Sequence, residues 1–360
     1  MATILFAAGG TGGHLYPAIA IAEEIRKKEP KATIAFVGTK EKIEARVVPQ
    51  KGYQFHAIWI SGFSRRLKVK NILFPLKVIV SLFQSFFLIK KVHPDVVVGT
   101  GGYVCGPVLF VASLLGIPTV VHESNSYPGV TTRMLASKVS KVFITFEVTK
   151  KWISSSANVE CVGTPTREEL SLVSRTDGSR FFGLDPNKKT LIAFGGSLGA
   201  ASINKAMQEV VEDAIAHDYQ IIWQTGDADW QSANAVQQHA NIKVMKYVDR
   251  MDCGYAAADV AISRSGATTL AELTRLGKPA ILVPYPFAAA NHQEMNAQTM
   301  VESGAAVMIK DSELQGTLLH TVRELLFNEN KCAEMREKSL LLGKSNAGCE
   351  IAEKVLAMKK

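Results

Sequence analysis

His14 ends the run Ile4-Leu5-Phe6-Ala7-Ala8-Gly9-Gly10-Thr11-Gly12-Gly13-His14, in which an apolar strand stops in glycines and an imidazole follows where a helix can begin. An imidazole titrates near neutrality, so a histidine there can take a proton from a substrate hydroxyl or hold one against an anion. The device returns at Leu191-Ile192-Ala193-Phe194-Gly195-Gly196-Ser197-Leu198-Gly199-Ala200, where Ala201 and Ser202 open a helix-compatible pattern. Glycines let backbone approach a phosphate closely, and the helix that follows offers N–H groups and the positive end of its dipole. Two such runs predict two similar α/β domains, each with an anion seat.

The glycine spacing counts against two common ligands, a nicotinamide dinucleotide and ATP. Counted from Gly10 and Gly12, the third glycine of a dinucleotide fingerprint would fall at Leu15, and the second strand ends Val37-Gly38-Thr39 without an acid. Neither Gly195 to Ala200 nor Gly99-Thr100-Gly101-Gly102-Tyr103 leads into the Gly-Lys-Ser/Thr of a P-loop. Other polar residues follow strand runs and should gather at the same sheet edges. They are His122-Glu123-Ser124-Asn125 in the first half, and Arg264 to Glu272 with Asn291-His292-Gln293 and Asn296 in the second. Asp227-Ala228-Asp229 has a metal-binding spacing but follows Gly226 in a loop, and is read as structural; His292 lacks a partner at ligand spacing and is read as pocket lining. No metal and no cofactor is expected.

The elements that must position these residues alternate along the chain. Strands are expected at 3–8, 33–37, 55–60, 95–99, 118–122 and 141–145, then at 190–194, 220–224, 242–247, 259–263, 280–283 and 306–309. Such alternation implies parallel sheets covered by helices, with ligands at the carboxyl ends of the strands. A chain of 360 residues, 47% hydrophobic and 21% charged, is long enough for two such domains. The boundary falls near Gly163-Thr164-Pro165, giving a domain over 1–164 and another over 165–340 facing it across a cleft, with a terminal helix over 341–360 packing back on the first. The cysteines Cys105, Cys161, Cys253, Cys332 and Cys349 are odd in number and scattered, which argues against a disulfide framework. With no basic leader before the first apolar run, a cytoplasmic compartment is expected.

Charge is concentrated at one end. The first hundred residues hold 15 Lys and Arg against 6 Asp and Glu, and no acid lies between Glu44 and Asp95. Inside that basic stretch, 72–89 reads as a helix with a wide apolar face and one polar stripe of Lys77, Ser81, Gln84 and Ser85. Pro75, Lys77 and Gln84 argue against a membrane span. A buried packing helix explains its apolar residues. Docking on an anionic leaflet explains the basic flanks, Arg65, Arg66, Lys68 and Lys70 on one side and Lys90-Lys91 on the other, as well. Nucleic acid is disfavoured because the aromatics are not interleaved with the basic residues.

Taken in order, these motifs resemble glycosyltransferase family 28, specifically its peptidoglycan N-acetylglucosaminyltransferases, over essentially the whole chain. The resemblance implies a GT-B fold, an α/β architecture of two Rossmann-like parallel-sheet domains, the first for acceptor and membrane and the second for the sugar nucleotide. It implies an inverting transfer of N-acetylglucosamine from UDP-GlcNAc to the C4 hydroxyl of the muramyl sugar of lipid I (undecaprenyl-pyrophosphoryl-MurNAc-pentapeptide), forming lipid II at the cytoplasmic face of the membrane. Donor contacts carry over to Thr11, Gly12, Gly13, Asn125, Arg167, Ser197, Val248, Ala267, Thr268, Thr269, Leu270, Ala271, Glu272 and Gln293. Thr164 stands where the family more often has asparagine. Gly101, Gly102 and Tyr103 fall on the acceptor side. For the base, His14 is the first choice and Glu123 its rival, and His14 could instead bind only a diphosphate. Other GT-B activities on a UDP sugar, diacylglycerol glycosyl transfer or epimerisation, and nonenzymatic glycan binding at a membrane are the alternatives.

Overall fold

Runs of β-branched and aliphatic residues bounded by glycine or proline, covered on both faces, build the strands of parallel sheets. A computed structural model describes residues 1–62, 73–166, 168–196, 199–233 and 239–359, the side chains of 168 and 232 excepted. The chain divides into two units, Met1–Thr166 with Ser345–Lys360, and Arg167–Lys344.

In the first unit the order is β1 (Thr3–Ala7), α1 (Gly12–Lys28), β2 (Thr33–Gly38), α2 (Ile43–Gln50), β3 (Gln54–Ala57), α3 (Phe74–Val92), β4 (Val96–Gly99), α4 (Cys105–Leu114), β5 (Thr119–Glu123), α5 (Val130–Leu135), β6 (Lys141–Ile144) and β7 (Val159–Cys161). The second unit runs α6 (Arg175–Phe181), β8 (Thr190–Phe194), α7 (Ala201–His217), β9 (Gln220–Gln224), α8 (Trp230–Ala233), β10 (Ile242–Met245), α9 (Met251–Ala257), β11 (Val260–Ser263), α10 (Ala267–Leu276), β12 (Ala280–Leu282), α11 (His292–Glu302), β13 (Ala306–Met308), α12 (Leu314–Leu326) and α13 (Glu329–Leu342). The chain then returns to the first unit as α14 (Ala347–Ala357).

Both sheets are parallel. Their strand orders are β3-β2-β1-β4-β5-β6-β7 and β10-β9-β8-β11-β12-β13. Each order reverses beside its first strand, between β1 and β4 and between β8 and β11, and a doubly wound sheet binds ligands outside the carboxyl ends of the strands at such a point. Alternation along β1 feeds two cores. Ile4 and Phe6 pack with α1 and α14, whereas Leu5 and Ala7 pack on the opposite face with α4. Ile351 and Val355 of α14 are fully buried there, each worth about 1.5–3 kcal/mol by the apolar area removed from water. The second unit buries Ile203, Met207 and Val210 of α7 and Leu318, Val322 and Leu325 of α12 in one core.

Two expectations are corrected. The terminal helix starts at Ala347, not 341, because α13 continues to Leu342 and packs in the second unit. The strand expected to end at the Gly163-Thr164-Pro165 turn is the edge strand β7, whose three residues are half-buried. Helix α3 reaches Val92 rather than ending at 89, and its polar stripe faces inward: Ser81 and Ser85 have no exposure, while Phe83 and Phe87 are 63% and 66% exposed. The inward serines satisfy themselves on the helix, Ser81 donating to the Val78 carbonyl and Ser85 to that of Ser81. Gln84 accepts the Trp59 N–H and Lys77 donates to the Ser61 hydroxyl, so the polar stripe is the docked face. Arg65, Arg66, Lys68 and Lys70 lie outside the described residues.

Candidate functional site

The first unit builds its site at the β1/β4 reversal. Gly10 turns the chain with φ +94°, Thr11 caps α1 in extended geometry, and no side chain caps the helix. The first-turn amides of Gly12 and Gly13 therefore have no intrahelical acceptor and point toward any anion above the sheet edge. His14, on the same turn, is tied to the end of β4 by a reciprocal pair of bonds. Its Nδ1 donates to the Thr100 carbonyl at 3.2 Å, and the Thr100 hydroxyl donates to the His14 carbonyl at 2.6 Å. A carbonyl can only accept, so the ring hydrogen sits on Nδ1 and the basic lone pair of the neutral imidazole on Nε2.

Gly101 and Gly102 make that seat possible. Their φ values are +100° and +83°. A Cβ on Gly101 would lie 2.6 Å from His14 Nδ1, and one on Gly102 2.5 Å from the Gly9 carbonyl oxygen. The Tyr103 ring packs against Gly10, where a Cβ would sit 3.0 Å from it, and burial pushes its phenol pKa up. Glu44, unforeseen from the sequence, is fully buried behind the turn. It accepts the Gly10 N–H at 3.2 Å, the Thr39 N–H at 3.0 Å and the Thr39 hydroxyl at 2.8 Å.

Glu123, at the end of β5, is 4% exposed and fully engaged. Its Oε1 accepts from the Asn125 backbone and side-chain amides, both at 3.0 Å, and its Oε2 from the Gly129 N–H at 2.9 Å and the Thr132 hydroxyl at 2.7 Å. A carboxylate so occupied shapes the loop that presents Asn125. Its neighbour His122 is buried, bonds the Gly163 carbonyl at 2.8 Å, and has its pKa held down by burial.

In the second unit the glycine turn after β8 leads into α7. Gly196 has φ +85° and Gly199 +78°, and a Cβ on Gly199 would strike the Thr225 carbonyl oxygen at 2.1 Å. Ser197, and Arg167 at the start of the unit, lie outside the described residues. Across the reversal, Arg264 follows β11. It donates to the carbonyls of Val283 and Pro284 and to Ser202 of α7, and pairs with Asp311, so it braces the sheet edge.

Helix α10 starts behind Gly266 with no side-chain cap. Leu270 and Ala271 are buried, and Ala267, Thr268 and Thr269 are half-buried. The Thr268 hydroxyl is buried without a hydrogen-bond partner among the described residues, at a helix start whose first amides also lack intrahelical acceptors. Glu272 is half-buried and accepts the Tyr255 hydroxyl at 3.0 Å, an orienting partner that carried no sequence signal. Val248 is buried beyond β10. Gln293 accepts the Tyr285 N–H at 3.0 Å and its carbonyl takes the Ser265 hydroxyl at 2.7 Å, while Asn296 donates to the Ser265 carbonyl at 3.1 Å. Just before them, Ala290 and Asn291 hold φ of +53° and +56°. His292 bonds the Ala289 carbonyl at 2.7 Å. Asp229 accepts from Asn204 at 2.7 Å, and among the described residues no group of three potential ligands could hold a metal ion.

These arrangements agree with what the chain is similar to. The glycosyltransferase family 28 N-terminal domain matches residues 4–144 and the C-terminal domain of the same family residues 190–354. A UDP-N-acetylglucosamine--N-acetylmuramyl-(pentapeptide) pyrophosphoryl-undecaprenol N-acetylglucosamine transferase of Chlorobaculum parvum is 41% identical over 99% of both chains. One of Flavobacterium psychrophilum is 38% identical over 98% of this chain and 97% of its own. The crystal structure of Acinetobacter baumannii MurG superposes with a TM-score of 0.79 at 26% identity, covering 99% of both chains. A UDP-GlcNAc 2-epimerase from Neisseria meningitidis shares the fold alone, with a TM-score of 0.69 at 14% identity. Two domain models in order and full-length relatives at this identity leave one assignment: the chain belongs to glycosyltransferase family 28.

Proposed function

We propose that this protein is an inverting N-acetylglucosaminyltransferase that moves N-acetylglucosamine from UDP-GlcNAc to the C4 hydroxyl of the muramyl sugar of lipid I, giving lipid II. The observation that carries the mechanism is the His14 seat, because the Nδ1–H bond to the Thr100 carbonyl leaves Nε2 as the basic atom. Nε2 takes the C4 hydroxyl proton as that oxygen bonds the anomeric carbon. The bond from that carbon to the β-phosphate oxygen breaks on the opposite face, its electron pair leaving with UDP. In the second unit the uncapped helix start at Ala267, with the Thr268 hydroxyl that has no hydrogen-bond partner among the described residues, suits the charge that gathers on the diphosphate. Glu272, oriented by Tyr255, suits the two ribose hydroxyls, and Glu123 acts by shaping the Asn125 loop. Arg167, Ser197, Val248 and Gln293 complete the donor contacts implied by family resemblance.

The decisive assay measures UDP released from UDP-GlcNAc when lipid I is added. Release coupled to lipid II formation is expected. Conversion of the UDP sugar without acceptor would make the protein an epimerase, and transfer to diacylglycerol would reassign the acceptor.

We further infer that the first unit docks on an anionic membrane surface through α3, as a peripheral protein of the cytoplasmic face. Supporting this, Ile79, Leu82, Phe83, Phe87 and Leu114 line an apolar groove between α3 and α4, and Lys90, Lys91 and Lys138 are exposed on the same helices or just beyond α5. No helix among the described residues is long and apolar enough to cross a membrane. Vesicles containing phosphatidylglycerol should sediment the protein, less so at high salt, and Phe83→Ser with Phe87→Ser should abolish binding; equal binding by the double variant refutes the docking face.

A further inference from the structure

We infer that Gln224 is a positioning residue that holds the phosphate-facing turn and the base-facing loop of the second unit in register. The inference rests on the donor reading above and extends it: the glycine turn after β8 is taken to face the diphosphate, and the loop at Val248, a donor contact in that reading, to face the uracil. Gln224 ends β9, the strand lying between β8 and β10. It is paired with Phe194, after which the glycine turn begins, and with Met245, shortly before Val248. The sheet thus places one side chain between two loops that sequence distance keeps apart.

Both ends of its carboxamide are used. Nε2 donates to the Gly196 carbonyl at 2.9 Å and Oε1 accepts the Val248 N–H at 2.9 Å. Gln224 is 4% exposed, so water does not replace either bond. The Gly196 carbonyl also accepts the Gly199 N–H at 3.0 Å, the bond that closes the turn ahead of α7. Gln224 therefore grips the atom that sets where the α7 amides point. Its strand neighbour Trp223 donates to Asn204 of α7 at 3.0 Å, and Asn204 donates to the Thr225 carbonyl at 2.8 Å, which fixes the other side of the same strand end.

A primary amide is the chemistry this position requires. It alone among side chains of this length offers one donor and one acceptor on a rigid plane. A carboxylate would keep the acceptor for Val248 but set an oxygen against the Gly196 carbonyl, and leucine would leave a buried N–H and a carbonyl lone pair unpaired. Loss of the bridge lets the turn and the base loop drift independently, so it should weaken ligands that touch both more than ligands held mainly by one.

The test uses Gln224→Leu and Gln224→Glu in the full chain, with thermal melts, steady-state kinetics on UDP-GlcNAc and lipid I, and calorimetry with UDP and UMP. For Gln224→Leu the KM for UDP-GlcNAc should rise about tenfold, more than kcat falls, with the KM for lipid I within about twofold. The advantage of UDP over UMP should shrink severalfold. Gln224→Glu should lose at least as much donor affinity, which keeps the proposal testable if the leucine variant folds poorly. A folded variant with wild-type donor KM and an unchanged UDP to UMP ratio overturns the inference while the donor reading stands. So does a variant whose only defect is a lower melting temperature and a smaller active fraction. A wild-type protein that binds neither UDP nor UDP-GlcNAc overturns the donor reading itself, and the inference with it.

Discussion

The turn from β1 to α1 and the turn from β8 to α7 begin alike, yet they present different chemistry to the solvent above their sheets. Each is a buried strand, a left-handed glycine and a helix without a side-chain cap. In the first, the opening turn of the helix carries His14, and the loop across the reversal supplies a carbonyl for its Nδ1 and two glycines flat enough to admit the ring. In the second, the opening turn of the helix carries Ser202, whose hydroxyl is consumed by Asp311 and Arg264. Among the described residues, what remains there is amides and the hydroxyl of Thr268, which suits the anion seat proposed above. Doubly wound topology opens a crevice at each reversal; in the reading proposed above, the residue on the first helical turn and the loop opposite separate a proton-moving site from a phosphate seat.

The sharpest way to break this contrast is His14→Ala. Turnover should fall about a hundredfold or more while calorimetric UDP affinity stays within about twofold. If affinity falls as far as turnover, both turns are phosphate seats and the contrast is void. A smaller but more telling effect belongs to Gly101→Ala, which keeps the histidine and fills its seat. The φ of +100° and the 2.6 Å approach to Nδ1 should cost about tenfold or more in kcat with UDP affinity retained. Wild-type turnover in this variant would show that the imidazole does not need the seat.

Thr268→Val probes the second turn. The KM for UDP-GlcNAc should rise about fivefold, yet the melting temperature should hold or increase, since a methyl replaces a buried hydroxyl that has no partner among the described residues. A matched loss of stability would mean the hydroxyl serves the fold.

The smallest expected effect is a difference in acid response. Burial lowers the pKa of His122, and of His56, below the ordinary 6.5, so the unfolded chain binds protons first; their contribution is present above about pH 6.5 and is lost as pH falls. In the second unit, burial works to raise the pKa of Asp213, but its bonds to Arg323 and Tyr219 outweigh that and hold it below the ordinary 3.8. Its contribution persists above about pH 4 and is lost only as pH falls through the lowered value. Hydrogen exchange followed between pH 7 and 4.5 should therefore show the first unit loosening ahead of the second. Simultaneous loosening would remove the histidines as its cause.

The strands and both glycine turns were legible in the sequence because each is a local pattern, an apolar run closed by residues with unusual backbone freedom. The start of α1 beside His14 and the parallel sheets followed from the same patterns. Strand β7 was legible only as a run ending at the Gly163-Thr164-Pro165 turn, without bounds, because three half-buried edge residues carry no period. The partners of the site were not legible. Glu44 meets Gly10 across 34 positions and Thr100 meets His14 across 86, and only the strand order brings those pairs together. The same holds for Tyr255 on Glu272 and for the four bonds that occupy Glu123, without which its carboxylate looks like a base. Periodicity found the polar stripe of α3 but not the side it faces. Tertiary packing decided that, because serine hydroxyls bonded to their own helix can be buried at little cost, leaving Phe83 and Phe87 for the outside.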